Sequence, residues 1–168
     1  MIDRAYCVTM ARYNHWQNNQ LYGLLEALKP TEISLNREAF FGSILGTLNH
    51  LLWGDLMWMA RFDGGDKPQG GPVESVTMHA TLRGWMPERR RMDARVSQWA
   101  GSVSTEELHR DMTWFSGILN REIHASMGLC VTHMFNHQTH HRGQVHAMLT
   151  AAGSEAPVSD LFLMPDEV

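Results

Sequence analysis

The chain is short of cysteine, of net basic charge and of long apolar runs. Its two cysteines, Cys7 and Cys130, cannot build a disulfide framework, and neither sits in a CxxC pair. Each reads as a small buried hydrophobe. Lys and Arg number 14 against 18 Asp and Glu, a net charge of −4, which argues against a protein held to nucleic acid by phosphate neutralisation. No apolar stretch approaches the roughly 18 residues that a membrane span needs. Asp3 and Arg4 stand where a signal peptide would require a basic start followed by an apolar block, so the expected compartment is the cytoplasm. A length of 168 residues fits a single domain over 1–168, with enough chain to bury a core unaided.

What the chain has in excess is histidine. There are ten, and five of them (His133, His137, His140, His141 and His146) fall within fourteen consecutive residues. Around them, apolar residues recur at three- and four-residue steps, the mark of amphipathic helices. One helix is expected over about 3–28 and a second from Gly42-Ser43 through Met59, ending before the breaker-rich stretch 63–72. A third is expected over about 79–100, with Pro87 either kinking it or marking its first turn. Ser104 and Glu107 have capping-box spacing. Residues 110–121 read as a short hairpin or an irregular crossover, and a last helix as running from about 122 to Gly153. The expected class is therefore all-α. It is a four-helix bundle with one long Gly/Pro-rich connection, an architecture that builds metal sites from side chains on facing helices.

On the last helix His137 and His141 lie about 40° apart on adjacent turns, the spacing by which two imidazoles reach one cation. His133 and His140 lie near the same stripe, so spacing leaves the pairs His133/His137 and His137/His140 open. His146 falls about 180° from His137. The metalloprotease motif is missing, because Gln138 follows His137 where HExxH has its glutamate. The di-iron pattern is missing too, since the chain has one Glu-x-x-His, at Glu106 and His109. A third ligand must come from another helix. His50, mid-helix among apolar residues, is the strongest candidate, with His15 and Asp55 behind it. Gln144 shares the His137 face and can orient an imidazole, and Asp55 is a second candidate for that role. Tyr13, Asn14 and Trp16 read as packing residues, as does Gly143.

These residues resemble the DinB/YfiT-type family of damage-inducible proteins, which is distinct from the DNA polymerase sharing the DinB name. The resemblance rests on MARYNHW from Met10 to Trp16 with Asn18, on FFGSILGTLNHLLWGD from Phe40 to Asp55, and on FNHQTHHRGQVH from Phe135 to His146. It implies a four-helix bundle, a homodimer, and a divalent metal held by His50, His137 and His141, with His133 and His140 excluded. Zn2+ or Ni2+ is the expected ion. The family's activities imply a small-molecule substrate, either a low-molecular-weight thiol in S-transfer or a compound that is hydrolysed. The alternative is a non-catalytic stress-response protein whose metal is structural, in a closed site completed by His133, His140 or Asp55.

Overall fold

Each long helix begins where a short polar side chain precedes an apolar run. A computed structural model describes residues 2–117 and 119–167. In it Asp3 accepts a hydrogen bond from the Tyr6 amide (2.8 Å) and opens α1 (Arg4–Ala27), which stops ahead of Pro30. The short α2 (Pro30–Ser34) follows. Ser43 accepts from the Gly46 amide (3.0 Å) and opens α3 (Ile44–Asp63); Gly64, at a φ of 76°, closes it in the left-handed conformation that glycine adopts without cost. Thr81 caps α4 (Leu82–Ser102). Ser104 and Glu107 form a reciprocal capping box on α5 (Thr105–His109).

Two expectations require correction. The third long helix starts at Leu82 rather than 79, because the His79 carbonyl is taken by the Asn49 side chain (2.9 Å). Pro87 then lies in its second turn, inside the helix. The class is not all-α: the chain is mostly helical, with an antiparallel hairpin of β1 (Asp111–Ser116) and β2 (Arg121–Ser126). Residue 118, within the expected 110–121 crossover, lies outside the described residues. Trp114 pairs with half-buried Ile123, and the Thr113 hydroxyl bonds the His124 ring (2.9 Å). That alternation holds 121–126 extended, so α6 (Met127–Ala151) begins five residues later than its apolar pattern alone suggests, at the Ser126 cap. Among the described residues no helix is long and apolar enough to cross a membrane.

Helix α1 packs on α4 and α6, and α3 packs on the same two. The shared core is apolar at Leu25, Leu48, Leu52, Trp85, Phe135 and Leu149, all under 2 % exposed. A polar layer crosses it. Arg89, 1 % exposed, bridges Asp55 (2.7 Å) on α3 and Asp93 (2.8 Å) on its own helix, and Asn18 of α1 donates to Asp93 (2.9 Å). On α6, Arg142 donates to Asn14 of α1 and to Gln138 (3.2 Å), while Gln138 donates to the Leu51 carbonyl of α3 (3.3 Å). Burial opposes the Arg89 charge, but Asp93 and Asp55 outweigh it and raise its pKa.

Removing one member of such a network strands its partners without water. Arg89→Met is expected to cost about 3–5 kcal/mol in urea unfolding. By contrast Arg110→Ala, which breaks the exposed pair with Glu106 (3.3 Å), is expected to cost about 1 kcal/mol or less.

Candidate metal centre

The antiparallel seam of α3 against α6 brings three histidines of the sequence together. His50, His137 and His141 each offer a ring nitrogen, and these atoms all lie within 4.8 Å of one another. His50 Nε2 and His137 Nε2 are 3.0 Å apart. A zinc ion held at about 2.0–2.1 Å from each nitrogen would set its ligands about 3.3 Å apart in a tetrahedron, so this spacing fits a cation. With no cation present, a proton on one of the two nitrogens makes the same contact an N–H···N hydrogen bond.

Hydrogen bonds decide which nitrogens face the centre. The Ser75 hydroxyl donates to the Pro72 carbonyl (2.6 Å), so at 3.0 Å it can only accept from His50 Nδ1. The Gln144 amide oxygen accepts from His141 Nδ1 (2.8 Å). Both rings therefore carry their hydrogen on Nδ1 and turn a bare Nε2 lone pair inward, the tautomer that metal-binding histidines show when the other nitrogen is held by an oxygen. Ser75 is itself fixed, because Asn49 grips the Val76 carbonyl (2.9 Å) as well as that of His79.

Burial keeps the imidazoles neutral. Desolvation, with His141 nearby, pushes the His50 pKa down to about 4; desolvation and the four surrounding imidazoles, His141 foremost, push His137 down to about 3. His141 is lowered as well, by burial against the opposing bond from Gln144. Phe41 stacks on His50 (3.8 Å between centroids, 24° between planes) and shields one side of the centre. His137 reaches the centre through a gap at Gly54, where a Cβ would stand 2.9 Å from His137 Cε1.

The other residues singled out in the sequence fall elsewhere. Asp55 faces Arg89 in the polar layer, away from the imidazoles. Gln138 is turned into the core. His15 bonds Asn19 (2.9 Å) on α1. His133 is exposed and packs on Trp58 (5.1 Å), with its ring 5.9 Å from that of His137. His140 is exposed beside His141 (4.7 Å). His146 borders a separate cavity with Tyr13 and Gly143, while Asn14 and Tyr13 are buried. Cys7 and Cys130 are buried and free, and burial raises both thiols, Cys7 to about 11. Ser75 and Phe41 carried no metal-ligand signal of their own in the sequence. Ser75 lies in a single 3-10 turn (Glu74–Thr77) inside the Gly/Pro-rich connection, whose path only the folded chain defines.

A model of the DinB family matches residues 1–167. Protein DinB of Bacillus subtilis (strain 168) is 26% identical over 156 residues, covering 90% of this chain and 88% of that protein. The crystal structure of a DinB-like protein from Bacillus cereus ATCC 10987 superposes with a TM-score of 0.60 at 16% identity, over 86% of this chain and 91% of that one. That likeness is one of fold.

Two outcomes follow from the geometry. Gly54→Ala is expected to change the stability of the metal-free protein by about 1 kcal/mol or less, since the better helix propensity of alanine, about 0.5–1 kcal/mol, offsets the cost of moving the His137 ring. It is also expected to weaken zinc binding at least about tenfold by displacing His137, read by competition with a chromophoric chelator. The lowered pKa values give the second. The unfolded chain takes up protons near pH 6.5 and the folded one does not until about 4 and about 3. Stability of the metal-free protein should therefore be full above pH 7 and fall as pH drops from about 6.5 toward 3–4, read by thermal melts across pH.

Proposed function

The chain belongs to the DinB family, and from that premise we propose that it is a divalent-metal-dependent enzyme acting on a small molecule at His50, His137 and His141. The observation that carries this reading is the convergence of three imidazole nitrogens, two of them with their opposite N–H committed to Ser75 and Gln144. Among the described residues no further His, Cys, Asp or Glu joins that group, which supports a site with a coordination position left for a reactant rather than a closed structural one. Zn2+ or Ni2+ suits three imidazoles. Bound there, such an ion lowers the pKa of a water or thiol ligand and so supplies a nucleophile at neutral pH.

The chain's own groups do the rest. Ser75 and Gln144 hold His50 and His141 in one tautomer and one orientation, so neither of these rings has to turn when a reactant arrives. Phe41 keeps water from the His50 face and leaves the half-buried His137 side as the approach. Among the described residues no carboxylate joins the three rings, and Asp55 is engaged by Arg89. The reaction class this supports is S-transfer from a low-molecular-weight thiol, or hydrolysis of a small substrate, in a cytoplasmic homodimer of the family's bundle type. The non-catalytic alternative is a metal-stabilised stress-response protein.

Untagged protein purified without chelator is expected to hold about one metal per chain by elemental analysis, and His137→Ala to hold little. The imidazoles are already neutral at pH 7, so zinc titrations in buffers of different ionisation enthalpy should release no more than about one proton per zinc, the share of a metal-bound water and none of it from the rings. Absence of metal, together with no thermal shift on adding zinc or nickel, would overturn the enzyme reading. Four protein ligands with no exchangeable position would favour the alternative.

A further inference from the structure

Three turns beyond His50 on α3 stands an arginine whose charge is unanswered. Of the arginines that are not fully exposed, Arg12, Arg37, Arg89, Arg95 and Arg142 each meet an oxygen. Arg61 meets none among the described residues. Its guanidinium instead lies 4.6 Å from the ring centroid of Trp58 on α3 and 5.4 Å from that of Trp114 on β1. Burial lowers its pKa, yet a guanidinium stays charged throughout the working range of pH. The two indoles attract the cation and limit its freedom to turn, but they cannot accept its N–H groups, whose natural partner is a planar oxyanion.

The surroundings are arranged for such a partner. Arg61 and Lys67 line a cavity of about 330 Å3 together with Met112, Thr113 and Trp114, and among the described residues no carboxylate lines it. The nearest acidic residue of the α3 C-terminus, Asp63, is held by both arms of Arg95 (2.8 and 2.6 Å). A row of rings then joins this cavity to the histidines: Trp58 lies 5.1 Å from His133, which lies 5.9 Å from His137. Eleven residues at 1.5 Å each place Arg61 about 16 Å from His50 along the helix.

We propose that Arg61 is a substrate-recognition residue. It binds a carboxylate or phosphate at the far end of an extended molecule whose reacting end meets His50, His137 and His141. Lys67 adds charge to the same end, and the hairpin closes over it through Trp114. This inference deepens the metal-enzyme reading and rests on it for the position of the reacting end, while the oxyanion contact stands on Arg61 alone.

The test is calorimetric titration of the zinc-loaded full chain with a ladder of ω-mercaptoalkanoates of increasing length, beside their carboxamides and the corresponding ω-mercaptoalkyl phosphates. Once the chain spans the row of rings, the acid or the phosphate is expected to bind at least about tenfold tighter than the amide, as when a charged donor gains its acceptor. Whichever anion gives the larger gap identifies the natural end group. Arg61→Gln should erase the gap without changing zinc affinity, and Arg61→Lys should restore part of it. Equal affinity of anions and amides at every length, or a gap that survives Arg61→Gln, overturns the proposal. The amide comparison is made on the unaltered protein, so it holds even where a variant folds poorly. Quenching of tryptophan fluorescence by inorganic phosphate in the metal-free protein, lost in Arg61→Gln, tests the oxyanion contact separately. If that quenching appears but no zinc-dependent thiol binding does, the metal reading fails and the oxyanion contact remains. Zinc-dependent thiol binding with no preference for anions has the opposite meaning.

Discussion

The candidate centre depends on the register of α3 against α6, and one buried hydrogen bond stands at its origin. Gln138 donates to the Leu51 carbonyl. These are the immediate neighbours of His137 and His50, facing the core while the histidines face the seam. A helix that slid by one turn would move His137 about 5.4 Å and dissolve the cluster. The Gln138 side chain is in turn held by Arg142, which reaches Asn14 on α1, while Arg89 ties α3 to α4 through Asp55. Apolar packing alone tolerates small slips, because one leucine replaces another at little cost. A buried donor left without its acceptor costs about 1–3 kcal/mol, which makes the polar layer the element that fixes position.

Gly54 answers the same constraint from the other side. The register that satisfies Gln138 brings the His137 ring against α3, and a side chain at 54 would close that gap. Ser75 and Gln144 then turn two of the rings by occupying Nδ1. Burial disfavours the protonated rings in the folded state at neutral pH, so His50 and His141 offer lone pairs where a cation would sit and His137 need only move its hydrogen from Nε2 to Nδ1. Stability of the layer and readiness of the centre thus share a cause: charge and hydrogen-bonding groups are placed first, and the rings follow.

The hairpin has a different relation to the seam. It adds no ligand to the three histidines, but Trp114 carries it over the far end of α3 and gives Arg61 its second aromatic wall. The protein of Bacillus cereus shares the fold at 16% identity, so the frame persists while most side chains change.

Much of this was legible in the chain. Capping residues at Asp3, Ser43, Ser104 and Glu107 act through bonds to amides three positions away, so local sequence determines them. The spacing of His137 and His141 belongs to one helix and is set by its pitch. The hairpin was harder to read, because 121–126 stays extended only by pairing with 111–116, and the start of α6 shifted with it. Which imidazoles meet, what turns them and where Asp55 goes depend on contacts between residues far apart in the chain. Asp55, a candidate ligand by its sequence, pairs instead with Arg89, an ion 34 positions away, and His50 has its acceptor in Ser75 on a 3-10 turn of the long connection. Periodicity determined which helices exist and which faces they bury. The tertiary structure alone decided how those faces slide against one another, because register is settled by buried polar groups that must find partners on other elements.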